Sequence, residues 1–225
     1  IFFAHRGYLL NKPENTLSSF LEAVKIGAQA LEIDVMKTKD KKIVCSHNHN
    51  LDIETNFIGD ISEMEYYYIN KANTAYRLKN KKEPIPQLID VLKNIPDEIK
   101  INIEIKTRRS RDIFVAREIV DIINNKNIVH RVLVSSFNPL VLWYVKWLDK
   151  NIRTGFLYDN PKLLFIKNII HPDCIHPSES LITKNLVKHC KDRGLRINTW
   201  TVNNKTAIHW LSELGIDGII TDNPK

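Results

Sequence analysis

The chain has 225 residues, 43% of them hydrophobic and 26% charged, with 7 Gly and 9 Pro. That is enough for one sizeable core, and it excludes wholesale disorder, collagen-like repeats and a disulfide scaffold; no apolar run approaches the roughly 18 residues of a membrane span. The net charge is +7, but the lysines are spread along the chain, and the short clusters at 37–42 and 79–82 carry no interleaved aromatics. A general basic surface, suited to small anionic substrates, is therefore favoured over a nucleic-acid stripe. Cys45, Cys174 and Cys190 are odd in number and lack CxxC spacing, which fits a reducing compartment. The chain opens at Ile1 rather than Met, so a processed leader is compatible with it. A cytoplasmic protein with no stable membrane insertion is the default expectation.

In chain order, short β-rich runs at 1–4, 30–35, 101–105, 132–135, 153–157, 174–176, 195–199 and 218–221 alternate with helix-period stretches. Leu17, Phe20, Leu21 and Val24 mark one helix, with Asn15 or Thr16 placed to cap it. Leu140, Trp143, Tyr144, Trp147 and Leu148 mark a second, and Ala207, Ile208, Leu211 and Leu214 a third. Strands alternating with helices imply a parallel sheet, and eight such units in this length predict one α/β domain over 1–225, a (β/α)8 TIM-type barrel. An open doubly wound sheet is the alternative. One further strand, 43–46, follows Asp34 after a polar link too short for a crossover helix. It should pair antiparallel with its predecessor, turn near Asp40 and Lys41, and return His47 beside Asp34. Residues 48–84 then form the longest polar insertion, a small cap or extended loop carrying Tyr66, Tyr67 and Tyr68.

Chemistry in a parallel barrel collects where strands end and βα loops begin. Those ends hold His5-Arg6-Gly7, Glu32 and Asp34, His47, Glu104 and Lys106, Ser135-Ser136, Asn198, Trp200 and Thr221-Asp222. Period-2 alternation puts Glu32 and Asp34 on the face opposite Ile33 and Val35, and Asn102, Glu104 and Lys106 opposite Ile101, Ile103 and Ile105. The apolar sets meet the helices, so the charges point into the barrel mouth. Converging carboxylates need a compensating cation. Arg6 and Lys106 could supply it as an ion-pair network. All-oxygen ligation of a hard divalent cation, Mg²⁺ or Ca²⁺, accounts better for two charged strand interiors flanked by two strand-end histidines. Such a cation could bind a phosphoryl oxygen, with His5 and His47 as general acid and base.

His5-Arg6-Gly7, Pro13-Glu14-Asn15-Thr16, Glu32-Ile33-Asp34-Val35, Ser46-His47, Ile85-Pro86 and Asn102-Ile103-Glu104-Ile105-Lys106 come in this order. They are followed by Ser135-Ser136-Phe137, Thr199-Trp200-Thr201-Val202-Asn203 and Gly218-Ile219-Ile220-Thr221-Asp222. The series, spanning essentially the whole chain, resembles the glycerophosphodiester phosphodiesterases. The resemblance implies a distorted TIM-type barrel that hydrolyses glycerophosphodiesters to glycerol 3-phosphate and an alcohol. It implies Glu32, Asp34 and Glu104 as ligands of one divalent cation, His5 and His47 as the catalytic pair, and Arg6 and Lys106 as phosphate or anion contacts. Glu14 and Trp200 match positions near the site, Trp200 as an apolar wall. The chemistry it implies uses a glycerol hydroxyl as nucleophile and passes through a cyclic phosphate that water opens.

Two departures stand out. Asn48 occupies the position after the second histidine, where this family usually has Asp, and the sequence reaches Lys225 directly after the last strand, without the usual closing helix. His49, His130, His171, His176, His189 and His209 are expected to be structural or solvent-facing, with His176, which ends a strand, the leading exception. Two rival readings remain. One is a lysophospholipase D-type activity on lipid-bearing substrates, with the tyrosine cluster as part of an apolar entrance. The other is a non-catalytic phosphodiester-binding barrel, which the full set of motif residues disfavours. Headgroup, metal identity, the histidine that starts as base and oligomeric state are not set by the sequence.

Overall fold

The computed structural model describes residues 1–78 and 81–224. Lys79 of the second basic cluster and Lys225, on which the expectation about the closing helix rests, lie outside the described residues. The strands are β1 (Phe2–His5), β2 (Ala30–Lys37), β3 (Ile43–Cys45), β4 (Lys100–Ile105), β5 (Val132–Ser136), β6 (Arg153–Tyr158), β7 (Cys174–Pro177), β8 (Arg196–Thr199) and β9 (Gly218–Thr221). All but β3 are parallel to their neighbours, in the order β1-β9-β8-β7-β6-β5-β4-β2. The β1–β2 pairing closes the sheet into an eight-stranded barrel, which rules out the open doubly wound alternative. Helices α1 (Leu17–Lys25), α2 (Leu51–Glu54), α3 (Tyr66–Ile69), α4 (Leu88–Asn94), α5 (Val115–Asn125), α6 (Pro139–Leu148), α7 (Lys167–Ile170), α8 (Lys184–Lys191) and α9 (Lys205–Leu214) lie between the strands or in the insertion. None of them is long and apolar enough to cross a membrane.

The local chemistry explains the boundaries. Thr16 caps α1 by accepting from the Ser19 N–H, and the Ser19 hydroxyl accepts from the Thr16 N–H in return. Asn15, the other capping candidate, is used instead inside the barrel mouth. Asn138 caps α6, and Pro139 opens it where no N–H is needed. The apolar faces of β2 and β4 (Ile33, Val35, Ile101, Ile103 and Ile105) are buried against Phe20 of α1, Leu88 and Val91 of α4 and Val115 and Ile119 of α5. Each such side chain contributes about 2 kcal/mol of burial. That packing forces the alternate residues Glu32, Asp34, Asn102 and Glu104 into the barrel interior.

The hairpin forms as its short link requires. The Thr38 N–H donates to the Lys42 carbonyl at 2.9 Å, the Thr38 hydroxyl accepts from the Lys42 N–H at 2.9 Å, and Lys41 turns through the left-handed region at φ 63°. β3 pairs antiparallel with β2, Val35 opposite Cys45. The Ser46 N–H then donates to the Asp34 carbonyl at 3.1 Å, delivering His47 to the mouth of the barrel. The insertion is a set of short helices with its own apolar cluster, Met36, Val44, Leu51, Ile61, Ile69 and Ile85, which covers the outer face of the hairpin. Tyr66 is tied down by its hydroxyl to the Ile85 carbonyl, while Tyr67 and Tyr68 are exposed beneath Lys71.

Candidate active site

The mouth is built from four strand ends. Glu32 and Asp34 of β2 and Glu104 of β4 are all buried, and each offers one carboxylate oxygen within 4.8 Å of the others. Parallel register sets this up: Asp34 is opposite Glu104, and Glu32 is opposite His5 of β1. Two cations flank the acids. Lys106 Nζ lies 3.1 Å from Asp34 and 2.5 Å from Glu104, and Arg6 Nε lies 3.1 Å from Asp34. Asn15 completes the cradle, donating from Nδ2 to Asp34 at 2.9 Å and accepting from the Asp34 N–H at 3.1 Å.

The charges are unevenly compensated. Burial would raise Asp34, but Lys106 and Arg6 override it and hold the carboxyl below its ordinary value. Burial, and then repulsion from Asp34 and Glu104, push Glu32 well above the usual carboxylate range. Burial raises Glu104 despite Lys106. Among the described residues, the Glu32 carboxylate receives only the Arg6 N–H on Oε2, at 3.2 Å, and its buried Oε1 has no hydrogen-bond partner. An all-oxygen donor set around an orphaned buried carboxylate oxygen fits a hard divalent cation. These three residues could hold one.

The two histidines come from different elements, His5 from the end of β1 and His47 from the segment after β3. His5 Nδ1 is 2.6 Å from the Asp222 carboxylate, just beyond β9, and that hydrogen bond is the leading cause holding Asp222 below its ordinary pKa. His47 is half-buried, and burial, with Lys106 and Arg6, pulls it down to about 4 despite the raising influence of Asp34. One of its ring nitrogens lies within 4.8 Å of a carboxylate oxygen of Glu14 and of Glu54. Glu14 is bound by both its oxygens to Arg6 Nη1 at 3.1 Å, so Arg6 is shared between Glu14 and Asp34. Trp200 donates from its indole to the His176 carbonyl at 2.8 Å and packs edge-on against Phe137.

The sequence-derived residues therefore come together: His5, Arg6, Glu14, Glu32, Asp34, His47, Glu104 and Lys106 share the mouth, with Trp200 at the end of β8. Two residues missing from that set also belong to the site. Asp222 orients His5, and its position at the end of the last strand motif was the available signal. Glu54 of α2 accepts from the Asn48 N–H at 3.1 Å, from Asn48 Nδ2 at 2.5 Å and from the Ser46 hydroxyl at 3.2 Å. A carboxylate thus reaches the residues on both sides of His47 although Asn48 is not itself acidic. Burial and the adjacent Glu14 raise Glu54 to about 7. His176 is not part of the site. It is fully buried between β6 and β8, accepts at Nε2 from Asn198 Nδ2 at 3.0 Å, and sits where a Cβ on Gly155 would meet it at 2.6 Å.

The sequence model of the glycerophosphoryl diester phosphodiesterase family matches residues 5–225. A glycerophosphodiester phosphodiesterase of Caldanaerobacter subterraneus subsp. tengcongensis is 32% identical over 232 residues, covering 100% of this chain and 95% of that protein. A glycerophosphodiester phosphodiesterase structure from Thermotoga maritima superposes with a TM-score of 0.80 at 26% identity, covering 100% of this chain and 95% of that one. The fold is also that of an Oleispira antarctica phosphodiesterase solved with sn-glycerol-3-phosphate, with a TM-score of 0.91 and 24% identity over 99% of this chain and 93% of that one.

Proposed function

The chain belongs to the glycerophosphoryl diester phosphodiesterase family, and on that premise we propose that it hydrolyses small glycerophosphodiesters to glycerol 3-phosphate and an alcohol, using His5 and His47 as acid–base pair and one divalent cation, Mg²⁺ or Ca²⁺, held by Glu32, Asp34 and Glu104. A bound cation would neutralise charge on the phosphoryl oxygens. Lys106 and the Arg6 guanidinium, both at the rim of the acid cluster, bind the same anion. One histidine takes the proton from a glycerol hydroxyl, whose oxygen attacks phosphorus. The bond to the leaving alcohol breaks, and the other histidine supplies a proton to the departing oxygen. Water then opens the cyclic phosphate with the histidine roles reversed, giving the monoester. Asp222 fixes the His5 ring through Nδ1 and leaves Nε2 for the reacting oxygen. Glu54 and Ser46 hold the segment that carries His47. Trp200 and Phe137 supply an apolar wall for the glycerol or the leaving alcohol.

The observation that carries this reading is the buried triad Glu32, Asp34 and Glu104, with a Glu32 oxygen that has no hydrogen-bond partner among the described residues. The test is turnover of glycerophosphocholine, glycerophosphoethanolamine and glycerophosphoglycerol with and without chelator, following glycerol 3-phosphate directly. Activity should vanish on chelation and return with Mg²⁺ or Ca²⁺. Full activity in a metal-free sample would remove the cation from the mechanism, and no release of glycerol 3-phosphate from any diester would remove the reaction.

A further inference from the structure

Two cavities flank the acid cluster, and their charge differs. The smaller, about 390 Å³, opens beside Arg6 and Asn48 and is walled by the carboxylates of Glu14 and Glu54 together with Tyr76 and Arg77. The larger, about 490 Å³, within the size range of ligand pockets, lies between the hairpin turn and the loop that follows β4. Its wall carries Lys37, Lys39, Lys41, Arg108, Arg109 and Arg111, against Glu63 and Asp112 as its acids. Lys106 belongs both to this wall and to the acid cluster, where its ammonium contacts Asp34 and Glu104.

Part of that positive charge is neutralised. Lys37 pairs with Glu118 at 3.4 Å, Arg108 pairs with Asp60, and the Asp112 carboxylate is engaged by the Arg109 N–H at 3.0 Å. Among the described residues, the side chains of Lys39, Lys41, Arg109 and Arg111 form no ion pair. Burial first, and then Arg108, hold His49 in this wall below its ordinary pKa. The floor is apolar, with Met36 and Val115 buried and Phe114 exposed at the edge. Arg109 and Arg111 are exposed, and each guanidinium can meet a phosphate with two parallel hydrogen bonds.

We propose that this cavity is a subsite for a second phosphate group carried by the substrate's alcohol, so that the preferred substrates are glycerophosphodiesters with a further phosphodiester or phosphomonoester on the leaving side. The inference rests on the proposed reaction. The scissile phosphate is held beside Lys106, and Lys106 is where the basic wall begins.

The test compares bis(glycerophospho)glycerol, which has two phosphodiesters, with glycerophosphoglycerol, which has one, on the full chain. Binding is measured by calorimetry, and turnover is measured separately. At low salt the two-phosphate compound should bind about tenfold more tightly and show a correspondingly lower KM, and most of that advantage should disappear at high salt. The double variant R109A/R111A should lose the advantage while leaving glycerophosphoglycerol turnover unchanged. K126A/K150A removes two charges from the helix ends at the opposite end of the barrel and should retain the advantage. Equal affinity for the two compounds, or an advantage that survives in R109A/R111A or is lost equally in K126A/K150A, overturns the subsite. Absence of turnover with either compound counts against the reaction alone, because the binding comparison decides the subsite independently.

Discussion

Replacing His47 by Ala separates catalysis from folding more cleanly than any other substitution in the mouth. The imidazole is half-buried and, among the described residues, takes part in no hydrogen bond, so its removal orphans no partner. The packing lost by a half-buried ring is on the order of 1 kcal/mol, a shift of about 2–4 °C in melting temperature for a chain of this size. A general acid–base group contributes about 10²–10⁴-fold to rate, equivalent to about 3–5 kcal/mol of barrier. His47→Ala should therefore lose on that order in kcat with KM little changed, measured on glycerophosphoglycerol with saturating Mg²⁺ or Ca²⁺. His49→Ala is the control. His49 lies two residues along but lines the basic cavity, with its carbonyl accepting from the Ile61 N–H, and should keep turnover of this substrate within about twofold. Near-normal kcat in His47→Ala, or an equal collapse in His49→Ala, would refute the assignment and move the catalytic role to another residue.

Two further outcomes follow from buried groups. Glu54→Gln keeps the shape of the side chain but removes the charge that, above its pKa of about 7, draws Asn48 and Ser46 together around His47; at about pH 8.5 kcat should fall about 10-fold or more, the worth of one charge-assisted hydrogen bond, with KM steady. Adding Asn48→Asp to that variant should restore part of the rate, and an unchanged kcat in Glu54→Gln would show that the clamp does not position the histidine. His176 is held neutral by burial, down to about 3, against 6.5 in the unfolded chain. Its folded pKa is depressed, so the unfolded state takes up the proton first: the stability it contributes is complete above about pH 6.5 and is lost as pH falls from there toward about 3. From pH 6.5 to 5 the loss is about 2 kcal/mol, and His176→Gln should abolish that portion of the slope in urea unfolding at several pH values. Identical pH slopes for the two proteins would mean the ring is protonated in the folded state.

Where a feature was legible in the sequence, the physics was local. The strands of the barrel announce themselves as short apolar runs between helix-period stretches, and the length of the link between Asp34 and Ile43 forces a hairpin whatever the rest of the chain does. The apolar alternation in β2 and β4 fixes which face carries Glu32, Asp34 and Glu104, because the opposite face must be buried against helices. What escaped was long-range. Asp222 meets His5 only because the barrel closes, across 217 positions of sequence. Glu54 reaches Asn48 only because α2 folds back under the hairpin's end, and nothing in the pattern of that four-residue helix announces it. Asn15 and Thr16 were equivalent as caps from sequence. They are separated by the approach of Asp34, 19 positions on, which takes Asn15 for itself.

The same long-range accounting explains why the acid cluster calls for a cation although two basic side chains already face it. Arg6 divides its guanidinium between Glu14 and Asp34, and Lys106 divides its ammonium between Asp34 and Glu104. Both therefore converge on Asp34, the carboxyl they hold ionised, and Glu32 is left with one backbone N–H and an unpartnered oxygen. With all three acids ionised the cluster carries one more negative charge than these two cations offset, and a phosphodiester anion would be repelled from the histidines proposed to act on it. Glu32, Asp34 and Glu104 could hold a divalent cation, which would reverse that sign. Arg6 and Lys106 are too far committed to Asp34 to do so, which is why a purely structural ion-pair network is the weaker account of these strands.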